Sequence, residues 1–246
     1  MPQTNAAVTH WIRQMADPDQ VVAYHAYQCL QEEVFRLSRP GEENAQAALA
    51  RVLGEALVAR PKAGQAARGR GQARLRSNLA RLLGYLPNET AALYLAKAMS
   101  DLEAREMVRM SLESNPSERA TEALLAGLDS ADPVFRAGVI HSLAKRRGEK
   151  VISALRAAAA DRQAEVRLAA LLALADFPEP SHDEILAKAA GSASPEERRT
   201  AFVARVRLAA TLQASGNTQA AGRILKAVLA SDAPEPQKKA ARLALG

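Results

Sequence analysis

Apolar positions along this chain fall in short blocks at helical spacing, and one pattern recurs five times. A small or apolar residue precedes Arg, and Leu or Val follows seven residues later: Leu75-Arg76 to Leu83, Ala104-Arg105 to Leu112, Phe135-Arg136 to Leu143, Val166-Arg167 to Leu174, and Arg198-Arg199 to Val206. Successive arginines stand 29, 31, 31 and 32 residues apart. That period belongs to stacked helix pairs rather than to one globular core. The blocks predict an all-α protein, a right-handed α-solenoid (alpha-alpha superhelix) of six helical hairpins plus a terminal helix.

Turn and cap signals recur in phase with the arginines. Asp132-Pro133 supplies an N-cap and an N1 proline for a first helix through Val139, Ile140 and Leu143, and Lys145-Arg146-Arg147-Gly148 closes it. Residues 150–160 form the paired second helix, with Val151, Ile152 and Leu155 as its stripe. The next pair opens at Asp161, turns at Phe177-Pro178-Glu179-Pro180, and takes Ser181 as the cap of its second helix. Ser194-Pro195 starts a longer helix to Ala214, followed by a turn at Ser215-Gly216-Asn217 and a helix over 218–230.

Upstream the period weakens. Val22 to Leu30 keeps the spacing but carries Ala23 where the others have Arg, and a helix over 43–59 follows Pro40-Gly41. The chain thus divides into a divergent N-terminal repeat or cap (1–59), a basic Gly/Ala/Arg-rich loop (60–71) and a repeat array (72–246). At the far end, Gln237-Lys238 to Leu245-Gly246 matches the start of one more repeat, either a capping helix or a piece of a longer array.

Composition supports helix. The 48% hydrophobic share is mostly Ala and Leu, and aromatics make up only 4%, which favours helix over strand. The single cysteine, Cys29, excludes an intrachain disulfide and lies in an apolar helical pattern, as expected of a buried, inert thiol. No stretch reads as a membrane span or signal sequence, so a reducing, cytoplasmic setting is the expectation.

Val166-Arg167-Leu168-Ala169-Ala170 with Leu174, and Leu75-Arg76 with Leu79-Ala80 and Leu83-Gly84, resemble the short bacterial HEAT repeats named after phycobilisome lyases. The resemblance covers residues 72–246. It implies a ladder between adjacent repeats made by Arg76, Arg105, Arg136, Arg167 and Arg199 with the turn acids Asp101, Asp132 and Asp161. Leu208, Leu212, Gly216, Ala221 and Leu225 also resemble a tetratricopeptide unit, which is likewise a stacked helical hairpin.

Candidate chemistry is sparse. HEAT-repeat hydroxylases that carry iron use His-Glu dipeptides, whereas the four histidines here precede Trp11, Ala26, Ser142 and Asp183. His182 and Asp183 stand at a helix start, where capping is their expected role. Gly69-Arg70-Gly71 lacks the context of a phosphate loop. No catalytic, metal or cofactor residue is assigned, and an enzymatic role is unsupported.

Charge is asymmetric. Residues 1–55 net −3, residues 56–88 net +7 with no acid, and the remainder +2, giving +6. Arg60, Lys62, Arg68, Arg70 and Arg74 form a candidate anion or nucleic-acid contact, although no aromatic stands between Phe35 and Tyr85 to stack bases. The favoured function is a non-enzymatic protein-interaction scaffold on the concave surface made by the second helices, with Lys97, Glu122, Arg156, Lys188, Arg223 and Lys226 as contacts. The alternative is a nucleic-acid-binding HEAT-like protein, including a DNA glycosylase of that type. Function is expected where the pattern breaks: before Arg76, and on the second-helix face.

Overall fold

The computed structural model describes residues 2–59 and 69–245, and among them every regular element is a helix. The chain forms two compact units, 1–127 and 128–246. In the first, α1 (Pro2–Gln14) precedes three pairs: α2 (Gln20–Leu37) with α3 (Glu43–Val58), α4 (Gly69–Gly84) with α5 (Glu89–Ala98), and α6 (Arg105–Ser114) with α7 (Glu118–Ala126). One row stacks α2, α4 and α6, and the other stacks α1, α3, α5 and α7. In the second unit, α8 (Pro133–Leu143) pairs with α9 (Glu149–Ala158), α10 (Ala164–Leu174) with α11 (His182–Ala190) and α12 (Pro195–Ala214) with α13 (Thr218–Ala230), before α14 (Glu235–Leu245). Here α8, α10, α12 and α14 form the stacked row. Two rows of stacked hairpins are the arrangement of an α-solenoid.

Local chemistry accounts for the helix starts. Asp132 Oδ1 accepts from Val134 N at 2.9 Å and Phe135 N at 3.3 Å, with Pro133 in the first turn, where its missing N–H costs nothing. Ser194 caps α12 by accepting from Glu197 N. Gly148 has φ +119°, a left-handed geometry that ends the α8 turn and launches α9. Helices approach closely where side chains vanish: a Cβ on Gly54 of α3 would lie 2.1 Å from Cγ of Tyr94 on α5.

The arginines bind successive repeats. Arg76 Nη1 donates to Asp101 Oδ2 at 2.7 Å. Arg136 Nη2 reaches both Asp161 oxygens at 3.0 and 3.2 Å, while its Nη1 holds the Ser130 carbonyl at 2.8 Å. Arg167 grips Glu197 with two bonds of 3.0 Å and also donates to the carbonyls of Asp161 and Arg162. Each guanidinium therefore ties its own helix to the start of the next repeat's first helix. Arg105 opens α6, and Asp132 caps α8.

The last unit is in a different register from the one its sequence suggests. Measured from Arg76, Arg136 and Arg167, residues three, four, six and seven positions on are buried. In α12 the residues with that burial are Ala201, Phe202, Ala204 and Arg205, which places Arg198, not Arg199, in the repeated position. Arg198 pairs with Asp232 ahead of α14, and Arg199 is exposed. The interval from Arg167 becomes 31 residues, equal to the two before it. Val206, the presumed apolar position, is only partly buried.

Other expectations also shift. Of the basic stretch expected to be a loop over 60–71, Gly69–Gly71 belong to α4. Cys29 is half-buried, with Sγ 3.7 Å from His25 Nε2. Ser181 occupies the cap position of α11 without making a cap bond, because its backbone is helical rather than extended there.

Candidate binding surfaces

The second helices of the 128–246 unit are braced from one side. Both α11 and α13 pack onto α12 and leave a groove of about 510 Å³ between them. Its lining includes Ala187, Ala220, Ile224 and Ala227, with Glu184 and Arg223 on its rim. These positions recur every three or four residues on each helix, so one face of α11 looks across at one face of α13.

The six contacts expected from sequence do not share one environment. Lys97, Glu122, Lys188, Arg223 and Lys226 are exposed. Of these, only Arg223 lines the groove. Lys97 Nζ sits 5.1 Å above the Tyr94 ring, a cation–π contact. Arg156 is committed elsewhere: its Nη2 donates to Glu179 Oε2 at 2.5 Å and lies 3.4 Å from Ser181 Oγ.

His182 and Asp183 are not caps, contrary to their position at a helix start. His182 is fully buried, its Nδ1 3.0 Å from the Leu174 carbonyl and its Nε2 3.5 Å from Glu179 Oε2. Burial pushes its pKa below the ordinary histidine value. Asp183 accepts from Arg205 Nε at 2.7 Å and Nη2 at 3.0 Å. Among the described residues, no group of three or more His, Cys, Asp or Glu is placed to hold a metal. No helix among them is long and apolar enough to cross a membrane.

The 1–127 unit has a second concavity, of about 280 Å³, between α2 and α4. Arg74, Asn78 and Arg81 line it from α4; Gln20, Tyr24 and Tyr27 do so from α2, with Ala23 among them. The two helices run parallel, since contacts climb together: Arg74 Nη2 to the Asp17 carbonyl at 2.8 Å, the Tyr27 phenol beside Arg81 and Tyr85, and Ser38 Oγ to the Tyr85 carbonyl at 3.3 Å. Phe35 and Tyr85 continue the aromatic edge with ring centroids 5.2 Å apart. Of the expected anion contacts, Arg74 lies in this pocket; Arg60, Lys62 and Arg68 lie outside the described residues, as does the side chain of Arg70.

Residues 121–207 match the family described as HEAT repeats. Over that stretch the chain is similar to HEAT repeats. The matched HEAT stretch takes in α8 to α11 and the Arg136 and Arg167 pairs, whereas the α2/α4 pocket lies wholly outside it. No curated protein matches the sequence. Similar solved structures include the complex of CpcE and CpcF of phycocyanin lyase from Nostoc sp. PCC7120, 22% identical, covering 96% of this chain and 94% of that one with a TM-score of 0.47. Human deoxyhypusine hydroxylase is 18% identical over 98% of this chain and 96% of that one, TM-score 0.39. A designed armadillo repeat protein is 18% identical over 96% and 99%, TM-score 0.39.

The sequence signal for the α2/α4 pocket was present but divided. Arg74 and Arg81 stand in the part of the acid-free run that belongs to α4, and their aromatic complement stands some fifty residues earlier on α2. Only parallel packing of the two helices brings Tyr24 and Tyr27 to Arg74 and Arg81.

Proposed function

We propose that this protein is a non-enzymatic scaffold that binds a protein partner on the second-helix face of its repeats. The groove between α11 and α13 carries the reading. Its walls are anchored to α12, so it is formed before a partner arrives and little ordering entropy opposes binding. Ala187 and Ala227 offer small apolar contacts to a partner's side chains above a floor that includes the buried Ala220 and Ile224, and Glu184 with Arg223 would fix its direction by charge. Lys226 is exposed one helical turn from Arg223 and extends the basic rim.

The test is site-specific photo-crosslinking from position 227, followed by affinity measurement with the protein it captures. A single partner whose binding weakens about tenfold or more in the Arg223→Glu/Lys226→Glu variant supports the scaffold. Unchanged affinity in that variant, or crosslinks to nucleic acid alone, contradicts it.

A further inference from the structure

The first hairpin lacks a ladder arginine. Burial at residues 26, 27 and 30 puts α2 in the register of the other first helices, and Ala23 then occupies the position held elsewhere by Arg76, Arg136, Arg167 and Arg198. The residues just before Arg76 likewise contain no acid to receive such an arginine. With both partners missing, the α2/α4 interface is not filled by an ion pair, and Ala23 lines the pocket found there.

The pocket is lined by two guanidinium groups and by no carboxylate. Arg74 and Arg81 lie two helical turns apart on α4, about 10 Å along its axis, yet both enter the same cavity. Arg76, on another side of that helix, has Asp101. The carboxylates of the turn before α2 are engaged with backbone N–H groups: Asp17 Oδ1 accepts from Asp19 N at 2.9 Å and Asp19 Oδ1 from Val21 N at 2.8 Å. Arg74 Nε is buried without an acceptor, a state that costs free energy unless something accepts from it.

We propose that this pocket binds a phosphate monoester carried on a flat ring, with Arg74, Asn78 and Arg81 holding the phosphate and Tyr24 facing the ring. Two guanidinium groups match a phosphate monoester, which carries about −1.5 to −2 at neutral pH, better than a singly charged carboxylate. Asn78 supplies an amide donor between them. The Tyr27 phenol, beside Arg81 and Tyr85, is neutral near pH 7 and adds no competing negative charge. Tyr24 lines the pocket while 62% exposed, which leaves its ring accessible for stacking. A volume near 280 Å³ lies at the small end of ligand pockets, enough for a head group and one ring system. A free mononucleotide and the 5′-phosphorylated end of a nucleic acid both present this chemistry.

Calorimetric titration of the full chain with AMP, adenosine and a 5′-phosphorylated oligonucleotide tests the assignment. AMP is expected to bind saturably, adenosine about tenfold or more weaker, and Arg81→Ala to lose about tenfold in AMP affinity. Tyr24→Ala should lose about three- to tenfold, and Arg223→Glu, in the other unit, nothing. Arg81 and Tyr24 are exposed, so these variants should keep the wild-type melting temperature. An oligonucleotide that binds as tightly as AMP, with the same dependence on Arg81, identifies a nucleic-acid terminus; a weaker one identifies a free small molecule. Adenosine binding as well as AMP, AMP binding indifferent to Arg81→Ala, or no saturable AMP binding at millimolar concentration overturns the proposal.

Discussion

Arg205 and Asp183 form a two-bond ion pair at the position where the other first helices carry leucine. Arg205 is 6% exposed, and its guanidinium meets the carboxylate at 2.7 and 3.0 Å from the first turn of α11. In register it corresponds to Leu83, Leu143 and Leu174. A charge buried there requires its partner.

Asp183→Asn should therefore cost about 3 kcal/mol, since it leaves a buried guanidinium without a counter-charge. Arg205→Leu combined with Asp183→Ala should cost far less, under about 1 kcal/mol, because it restores the leucine of the neighbouring repeats and removes both charges together. Urea unfolding of the three proteins measures the difference. Equal losses for the single and double variants would contradict the buried-pair account.

The register of the last repeat predicts a contrast within the arginine series. Arg136→Ala removes two bonds to Asp161 and one to a carbonyl from a largely buried guanidinium, and should cost about 1–2 kcal/mol. Arg199→Ala should stay within about 0.5 kcal/mol, because Arg199 is exposed. Thermal or urea melts of both variants test this. A comparable loss at Arg199 would restore the spacing read from sequence.

His182 makes stability depend on pH. Burial depresses its folded pKa, so near neutral pH both folded and unfolded chains hold it uncharged. As pH falls below the unfolded value of about 6.5, the unfolded chain takes up the proton first, and stability declines until the folded pKa is passed. The loss is at most about 1.4 kcal/mol per pH unit for one proton. Unfolding free energies between pH 7.5 and 5 should fall for the wild type and fall less for His182→Gln, which keeps a side-chain donor for the Leu174 carbonyl. Glu197 acts lower on the scale: Arg167 holds its carboxyl below the usual range, so its contribution is present above about pH 4.5 and lost as pH drops through the folded value.

The helix pairs were legible because their signals are local. The 3.6-residue spacing of Val139, Ile140 and Leu143, and the caps Asp132-Pro133 and Ser194-Pro195, depend on residues within a turn or two. Sequence spacing points to Arg199 rather than Arg198 because the two are adjacent and only Arg199 has an apolar residue, Val206, seven positions on. Arg205, at the corresponding position seven residues after Arg198, is charged, and its burial depends on a carboxylate twenty-two residues away. For His182 and Asp183 local position suggests capping, while their partners Leu174 and Arg205 lie on other helices. The α2/α4 pocket joins residues from two separate stretches of sequence, which neither periodicity nor charge counting connects.

The division between a ladder that holds the repeats and a groove that binds is tested most directly by one affinity measurement. The partner captured from position 227 is titrated, at a temperature where all proteins are folded, against wild type, Arg136→Ala and Arg223→Glu/Lys226→Glu. Binding should weaken about tenfold or more in the groove variant and remain within about twofold of wild type in the ladder variant. Loss of binding in Arg136→Ala with full affinity in the groove variant would contradict the division.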